Sequence, residues 1–400
     1  MATAVMEKSG AIAAVESAVL GTYRPAAPLF VSAAGCRVVD GDGRSHLDCA
    51  SGIGVNALGY GDAGVAEALR MQLETGLVHL SNLFRTEPAE LLARELVMHS
   101  FADRVFFCNS GAEANEAAFK FARRYAREVG GAGKHEIVAL RGSFHGRLFG
   151  TLAATDRRAM QEPFEPLMPG VCFIQPDDVA GAREVVTREH TAAIIVEPVQ
   201  GEGGVKPLSR EYLEALREIA DEADALLIFD EVQCGLARTG YLFAHEPSGV
   251  TPDILTLAKP LAGGLPMGAA LVTDAVAARI RPGDHATTFG GGPLVAAVAL
   301  HVVRRLSDEA FLEDLRARAA HLEERLDEIR ALPSVVEVRG TGMMWGIELH
   351  DAAAPLVTAA LEAGLLVTAA GERVIRLLPP LVIGSAEIDE AVGILREVLS

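Results

Sequence analysis

Short apolar runs alternate with amphipathic stretches through the middle of this chain. Turn residues bound each run, whereas segments such as EANEAAFKFARRYARE and REYLEALREIADEAD repeat their apolar positions with the spacing of a helix. Strands that are apolar throughout and alternate with helices are typical of a parallel sheet that is covered on both faces. The predicted strands are RVFFC (104–108), EIVAL (136–140), AAIIVEP (192–198), ALLIFDE (225–231), DILTLAK (253–259) and GAALVT (268–273).

The two ends of the chain carry a different pattern. A helix is predicted over Ile12 to Leu20, and CRVVDGDGRSHLDCA is typical of a hairpin that bends at Asp42-Gly43. Near the C-terminus, a long helical stretch from Leu294 to Leu332 precedes the strand-like runs VVEVRG, MMWGIEL and VIRLLPP and a terminal helix. The sequence patterns of the two chain ends therefore predict a mixture of helices and strands there.

Length and the contrast between middle and ends favour two domains. The chain has 400 residues, more than one domain usually contains. We predict an α/β fold in which a large domain, 59–294, places a mainly parallel sheet between helices. A small α+β domain is formed by both chain ends, the N-terminal segment 1–58 and the C-terminal part 295–400.

Charge and cysteine content narrow the function classes. Acidic residues number 54 and basic residues 36, so the formal net charge is −18. A nucleic-acid partner needs a basic surface and is not expected, whereas small anionic ligands respond to local charge. The 5 cysteines are scattered without a C-x-x-C pair, and we find neither a signal-peptide pattern nor an apolar stretch of about 18 residues. These features predict a cytoplasmic protein without a membrane segment, a disulfide framework or a metal site.

Candidate chemistry lies where the predicted strands end, because ligands bind at the carboxyl ends of parallel strands. RVFFC is followed by Asn109-Ser110-Gly111-Ala112-Glu113 and then a helix. Ser110 and Glu113 have the spacing of a capping box, and Gly111 permits close approach to the backbone. The start of this helix is suited to an anion such as phosphate, although an ordinary capped helix has the same pattern.

Two further strand ends carry charged residues. Asp230 follows ALLIF, and a buried acid there needs a partner such as a cation or a protonated ring nitrogen; a salt bridge to Arg238 is the alternative. Lys259 follows DILTLA, where burial is costly unless the amine is paired or used chemically. A lysine at a strand end is, on its own, more often a surface residue.

Pyridoxal phosphate needs three groups on one sheet: an anion-binding helix start, a strand-end aspartate and a strand-end lysine. The sequence resembles the class III aminotransferases of PLP fold type I from about residue 20 to the C-terminus. The resemblance is strongest to the acetylornithine branch, through GIGVNALGY, HLSNLFRTEPAELLARELV and DEVQCG together with TTFGG. The family motifs are NSGAEANEAAFKFAR, SFHGR, VEPVQGEGGV, LLIFDEVQCGLARTG, DILTLAKPLAGGLPMG, TTFGGGPLVAAVA and VIRLLPP.

The resemblance implies the residues that hold pyridoxal phosphate. Lys259 would bond to its aldehyde and later move a proton, and Asp230 would keep the pyridine nitrogen protonated. Thr288 would reach the phosphate of the neighbouring subunit, which implies a homodimer with shared active sites. The remaining cofactor contacts are Gly111 and Ala112 with Ser110 nearby (phosphate), Phe144 and Val232 (the two ring faces) and Gln233 (near the ring hydroxyl).

The resemblance also implies the substrate contacts. Arg147 would bind the distal carboxylate of acetylornithine. Arg376 would take the α-carboxylate of glutamate or 2-oxoglutarate, with Glu202 as its resting partner between glycines that permit movement; a purely structural ion pair is the alternative. Thr287 would touch the substrate, and Tyr23 would line the entrance.

The implied activity is transfer of the ω-amino group of N2-acetylornithine to 2-oxoglutarate in arginine biosynthesis. Related donors (succinylornithine, ornithine, 4-aminobutyrate and acetyl-lysine-type amines), an aminomutase and a non-catalytic binding protein stay open. Ile53 stands where ornithine aminotransferases tend to have a tyrosine, which disfavours ornithine, and the presence of both Lys259 and Asp230 disfavours a protein without catalysis. The sequence departs from the family pattern at Ala112, Ala237, Ala286 and Gly292.

Overall fold

A computed structural model describes residues 18–400 of the chain. Its strands, in chain order, are β1 (Phe30–Ala34), β2 (Arg37–Asp40), β3 (Ser45–Asp48), β4 (Arg104–Cys108), β5 (Glu136–Leu140), β6 (Val171–Ile174), β7 (Thr191–Val196), β8 (Val199–Gln200), β9 (Lys206–Pro207), β10 (Leu226–Asp230), β11 (Ile254–Leu257), β12 (Gly268–Val272), β13 (Val335–Thr341), β14 (Met344–Leu349), β15 (Leu365–Leu366), β16 (Thr368–Ala369) and β17 (Val374–Leu377).

The α-helices cover the sheets and connect most of the strands. They are α1 (Ala63–Glu74), α2 (Glu87–Met98), α3 (Gly111–Gly130), α4 (Phe149–Ala153), α5 (Arg158–Gln161), α6 (Val179–Val185), α7 (Arg210–Glu222), α8 (Asp274–Ala277), α9 (Pro293–Leu306), α10 (Glu309–Arg330), α11 (Ala353–Glu362) and α12 (Ser385–Leu399). The turn at Ser51–Gly54 is helical only in part, and three 3-10 turns occur at Glu162–Phe164, Glu246–Ser248 and Lys259–Ala262.

A seven-stranded sheet in the order β4-β12-β11-β10-β7-β5-β6 forms the centre. Its five inner strands are buried from both sides, as their apolar sequences predict, whereas the edge strands β4 and β6 are only partly buried. Along β7, Ile194 and Val196 pack into one apolar cluster with α7, whereas Ala193 and Ile195 pack into a second cluster with α3. The predicted α/β fold is thereby confirmed.

The sheet differs from a purely parallel one in a single strand. β12 runs antiparallel to both of its neighbours, β11 and β4. The connection from β11 to β12 contains only the 3-10 turn Lys259–Ala262, and without a crossover helix the chain returns in the opposite direction. The sequence analysis also missed β6, a short strand at the sheet edge beside β5.

Two smaller sheets are ordered β1-β2-β3-β15, which combines both chain ends, and β13-β14-β17-β16, which the C-terminal part forms alone. The predicted hairpin is confirmed: β2 pairs antiparallel with β3, and Gly43 has a φ of 81° at the bend. β15 from the C-terminal part pairs in parallel with β3. This pairing joins the two chain ends in one layer, as the fold prediction requires.

One helix prediction needs correction, and a second falls mostly outside the described residues. The stretch from Leu294 to Leu332 is two helices, α9 and α10, because Asp308 accepts a hydrogen bond from the Phe311 N–H (2.9 Å) and starts a new helix. The helix expected over Ile12 to Leu20 lies mainly outside the described residues, and Ala18–Leu20 are not helical.

Candidate active site

A cavity of about 430 Å³ opens at the carboxyl ends of the central strands. It collects side chains from several loops, most of which follow a strand of the central sheet, while the loop with Glu202 follows β8. The predicted site residues that line it are Ser110, Gly111, Ala112, Phe144, Arg147, Glu202, Asp230, Val232, Gln233 and Lys259.

Asp230 ends β10, and its buried carboxylate is held from two sides. Oδ2 accepts hydrogen bonds from Asn115 Nδ2 and from His145 Nδ1, both at 2.7 Å, and Oδ1 accepts one from the Val232 N–H at 3.0 Å. A carboxylate offers about four lone-pair positions, so one remains for a donor in the cavity. The alternative prediction, a salt bridge between Asp230 and Arg238, is wrong, because Arg238 donates to the carbonyl oxygens of Met343 and Pro379 instead.

The residues that orient Asp230 escaped the sequence analysis. Thr256 lies beside Asp230 in the β10–β11 register, and its hydroxyl donates to Asn115 Oδ1 at 2.7 Å. Asn115 Nδ2 also donates to the His145 carbonyl at 2.8 Å. The only local signal was the position of Asn115 on the buried face of α3, one turn after the helix start.

Lys259 follows β11 and brings its amine to the same cavity. Its φ is +35°, a left-handed conformation that is costly for a residue with a side chain, and the 3-10 turn begins at this residue. Burial lowers the pKa of Lys259, while the charge of Asp230 acts in the opposite direction. The amine is therefore easier to deprotonate than an exposed lysine, as a nucleophile or base requires.

The start of α3 faces the cavity. Ser110 Oγ accepts a hydrogen bond from the Glu113 N–H at 3.2 Å, as predicted for the helix cap. The reciprocal bond of a capping box is shifted by one residue, because Glu113 Oε2 accepts from the Asn109 N–H instead (2.5 Å). The N–H groups of Gly111 and Ala112 precede the first internal hydrogen bond of the helix and can bind an anion.

Glycine is required at the start of α3. A Cβ on Gly111 would lie 2.6 Å from Val232 Cγ1, closer than carbon atoms can approach. The backbone at the start of α3 therefore packs directly against the Val232 side chain, and no side chain fits between them.

Glu197, another residue that escaped the sequence analysis, connects two loops of the cavity. Its carboxylate oxygens accept from the Phe144 N–H at 2.9 Å and from the Gly201 N–H at 3.1 Å. Burial raises the pKa of Glu197 to about 7. Glu197 therefore fixes the loop that carries the Phe144 ring relative to the turn that carries Glu202.

Two arginines at the cavity differ in their partners. Arg147 is exposed, lies over the Phe144 ring at 5.8 Å, and makes no hydrogen bond or ion pair with another residue in 18–400. Arg376 is buried and forms an ion pair with Glu202 and a hydrogen bond to Gln233 Oε1 at 3.2 Å. One guanidinium is thus open to a ligand, and the other is neutralised by an acid.

Four predicted residues lie outside the cavity wall: Arg376, which contacts the lining residues Glu202 and Gln233 from behind, and Thr287, Thr288 and Tyr23. Thr287 is half-buried, and its hydroxyl accepts a hydrogen bond from Asn109 Nδ2 at 3.1 Å. Thr288 is exposed, and Tyr23 is 83% exposed in a segment without regular structure.

The fold and this site define a class of protein. Residues 22–399 match the family described as aminotransferase class-III, and the chain belongs to that family. A mitochondrial acetylornithine aminotransferase from Alnus glutinosa is 47% identical over 99% of this chain and 87% of its own. The acetylornithine aminotransferase of Methanocaldococcus jannaschii is 44% identical over 93% of each chain.

Solved structures agree with this relationship. The ornithine aminotransferase of Toxoplasma gondii matches with a TM-score of 0.92 at 31% identity, over 98% of this chain and 94% of its own. An N-acetylornithine aminotransferase from Stenotrophomonas maltophilia matches with a TM-score of 0.82 at 37% identity, over 94% and 96%. The predictions of a transaminase and of pyridoxal phosphate as its cofactor are confirmed.

The residues of the cavity fit pyridoxal phosphate. The open N–H groups at the start of α3 suit its phosphate, and the remaining lone pair of Asp230 suits a protonated ring nitrogen. The absence of a side chain at Gly111 lets this helix start lie directly against Val232, which lines the same cavity. In residues 18–400, no cluster of His, Cys, Asp and Glu could hold a metal ion, and no helix is long and apolar enough to cross a membrane.

Proposed function

We propose that this enzyme transfers the ω-amino group of N2-acetyl-L-ornithine to 2-oxoglutarate, giving N-acetyl-L-glutamate 5-semialdehyde and L-glutamate. Acetylornithine aminotransferases from several organisms, 40–47% identical to this chain, support this substrate. The observation that carries the proposal is the pair of arginines, because the two substrates place carboxylates at different distances from the reacting carbon.

Acetylornithine has a carboxylate far from its reacting carbon and none beside it. The unpaired Arg147 suits that distal carboxylate, because a guanidinium can bind it with two parallel hydrogen bonds. The ion pair with Glu202 neutralises Arg376 during this half-reaction, so no unpaired charge faces the apolar part of the substrate.

2-Oxoglutarate has a carboxylate directly beside its reacting carbon. Arg376 would bind it once the Glu202 side chain turns away, and Gln233 would keep its hydrogen bond to the guanidinium in both states. The same site would thereby accept 2-oxoglutarate, which has a carboxylate beside its reacting carbon, and acetylornithine, which has none there.

The chain's own groups perform the proton transfers. Pyridoxal phosphate, when bound, supplies an electron sink for the negative charge that develops on the reacting carbon. Asp230, oriented by Asn115 and His145, would accept a hydrogen bond from the protonated ring nitrogen and so stabilise its positive charge. Lys259 Nζ would remove the proton from the carbon that bears the ω-amino group and deliver it again, which its lowered pKa favours.

The other residues would position the cofactor. The N–H groups of Gly111 and Ala112, with Ser110 nearby, would bind its phosphate. Phe144 and Val232 would cover the two faces of its ring, and Gln233 would lie near the ring hydroxyl. Thr287 would touch the substrate, and Tyr23 would lie at the entrance.

We also infer a homodimer in which Thr288 of one subunit reaches the phosphate in the other. Thr288 is exposed and follows the segment that Asn82 holds through the Thr287 carbonyl (2.9 Å). The neighbouring side chains Leu83, Phe84 and Phe289 are 88%, 63% and 65% exposed, an apolar surface that a second subunit would cover. The cytoplasmic location and the domain boundaries at 58/59 and 294/295 remain predictions.

A panel of amine donors tests the proposed reaction. With 2-oxoglutarate as acceptor, kcat/KM for acetylornithine should exceed that for succinylornithine, ornithine and 4-aminobutyrate. A higher value for any of the other donors would reassign the substrate. Turnover without 2-oxoglutarate would indicate an aminomutase.

A further inference from the structure

A second cavity, of about 310 Å³, lies between the C-terminal half of α3, the loop that leads to β5, and the segment after α8. It shares no lining residue with the catalytic cavity. We call it the basic cavity, after its basic lining residues Lys120, Arg123, Arg124, Arg127, Lys134 and His135.

The charge of this region is opposite to that of the whole chain. The acids that pair with its cations are Asp284, which lines the cavity, and Glu128, which binds Arg124. Glu128 also pairs with Arg279 and Arg281, which lie beside the cavity. The region therefore contains two acids against seven lysines or arginines, five in the lining and two beside it. In a chain with a net charge of −18, this local excess of cations is not a consequence of composition.

Several of these cations have no acidic partner among residues 18–400. Arg127 has neither a hydrogen bond nor an ion pair there, and Lys120 Nζ contacts only His285 Nδ1 at 2.8 Å. Arg123 and Lys134 donate to backbone carbonyl oxygens. Burial lowers the pKa of both Arg123 and Lys134, because its effect outweighs the opposing charges of Glu116 near Arg123 and of Asp224 and Glu189 near Lys134.

The geometry points to a binding site in the basic cavity for a polyvalent oxyanion, a phosphate or a polycarboxylate. Such an anion would offset the local positive charge and accept hydrogen bonds from Lys120 and Arg127, whose donors are open to the cavity side of α3. The arginines suit it because a guanidinium binds paired oxygens with fixed geometry. The site is independent of the proposed substrate.

Calorimetric titration of the holoenzyme tests this inference. The protein, saturated with pyridoxal phosphate, is titrated with inorganic phosphate and separately with citrate, with the ionic strength held constant by sodium chloride. We expect saturable binding of one anion per chain, and a loss of at least tenfold in affinity in the variant Lys120→Gln/Arg127→Gln. The tighter of the two anions shows whether the natural ligand is a phosphate or a polycarboxylate.

Two controls separate this site from other anion binding. The variant Arg70→Gln/Arg210→Gln removes the same charge from exposed positions on other helices and should keep the affinity within twofold. Arg147→Ala should also keep it, because the catalytic cavity is not involved. Binding that is not saturable, that is unchanged in Lys120→Gln/Arg127→Gln, or that is lost in either control would overturn the inference. If the double variant does not fold, Arg127→Glu alone should lower the affinity for the anion at least tenfold.

Discussion

At the scale of single residues, the chemistry of this enzyme depends on how the protein environment alters ordinary side chains. The pKa of Lys259 is lowered because its amine is withdrawn from water, and Asp230 is held as an acceptor by Asn115 and His145. Neither effect requires an unusual residue. Each follows from removing a charged group from water and placing particular donors around it.

Lys259→Ala tests the identity of the covalent attachment. We expect the variant to bind pyridoxal phosphate without a covalent bond and to lose transamination, since the amine is both the attachment point and the base. Borohydride reduction followed by peptide mass mapping should place the adduct on Lys259 in the wild type and nowhere in the variant. Lys206→Ala, at an exposed position, is the control and should keep the adduct on Lys259. An adduct on another lysine would contradict the assignment.

Arg147→Lys tests the distal carboxylate site. Lysine keeps the charge but loses the paired hydrogen bonds, which should cost roughly 1.5–3 kcal/mol, or about 10- to 150-fold in kcat/KM for acetylornithine. The value for glutamate should change far less. Arg141→Lys, at an arginine that lies over the Phe173 ring at 5.0 Å outside the cavity, is the matched control. Equal losses for both substrates would make Arg147 structural.

At the scale of elements, the N-terminal end of α3 is built to bind an anion, and its close contact with the loop after β10 restricts its first residue. Gly111→Ala would bring a Cβ to 2.6 Å from Val232 Cγ1 and displace one of the two segments. We expect affinity for pyridoxal phosphate to fall at least tenfold, measured by equilibrium titration of the apoenzyme.

The second variant in this test relieves the clash. In Gly111→Ala/Val232→Ala the contact is removed, and part of the lost affinity should return. Gly393→Ala is the control, because a Cβ there meets nothing within 4 Å; a helical alanine should raise stability by about 1 kcal/mol and leave cofactor affinity unchanged. If Gly111→Ala binds the cofactor normally, the proposed role of this helix start is wrong.

The turn that carries Glu202 is the second element on which the proposed reaction depends, through the mobility of its backbone. Its glycines were expected to permit movement, but its backbone is held at three points. The Gly201 N–H donates to Glu197, the Glu202 carbonyl accepts from Arg157 at 2.9 Å, and the Gly204 carbonyl accepts from Arg339 at 2.9 Å. The change of partner at Arg376 therefore has to come from rotation of the Glu202 side chain.

Glu202→Ala tests that change of partner. Arg376 would then stay available, so the single-turnover rate with glutamate should rise relative to that with acetylornithine; each half-reaction is followed by the absorbance of the cofactor. Glu390→Ala, which removes the surface partner of Arg37, is the control and should leave the ratio unchanged. A ratio within about twofold of the wild type, a shift below roughly 0.4 kcal/mol, would show that the ion pair is only structural.

At the scale of the whole molecule, the proposed homodimer would complete each active site with Thr288 of the partner subunit. Thr288→Ala should lower the affinity for pyridoxal phosphate by roughly 10- to 150-fold, the loss expected for a hydrogen bond to a charged group. Light scattering should give twice the mass of the chain.

Mixed dimers decide which cavity Thr288 serves. If it serves the partner, a hybrid of Thr288→Ala and Lys259→Ala subunits contains one intact cavity, and mixing should restore tight cofactor binding and activity. If Thr288 serves its own cavity, both cavities of every hybrid are defective and mixing restores nothing. Thr358→Ala, on α11, is the control for loss of a threonine hydroxyl.

Much of this organisation was accessible from the sequence alone. The apolar runs determined most strands of the central sheet, because a strand buried on both faces has to be apolar throughout. The positions of Ser110, Asp230 and Lys259 directly after such runs were readable because each depends only on neighbours along the chain. The family motifs then indicated the cofactor and the distant residues Arg147 and Arg376.

Only the tertiary structure decided the rest. The reversed direction of β12, the division of the long helix at Asp308, and the groups around Asp230 depend on packing between segments that are far apart in sequence; Asn115 and Asp230 are separated by 115 positions. The same holds for Arg238, whose partners lie more than 100 positions away. Local patterns determine which segments become strands or helices, whereas the partners of buried polar groups are selected by the folded arrangement, where every unpaired charge or donor is costly.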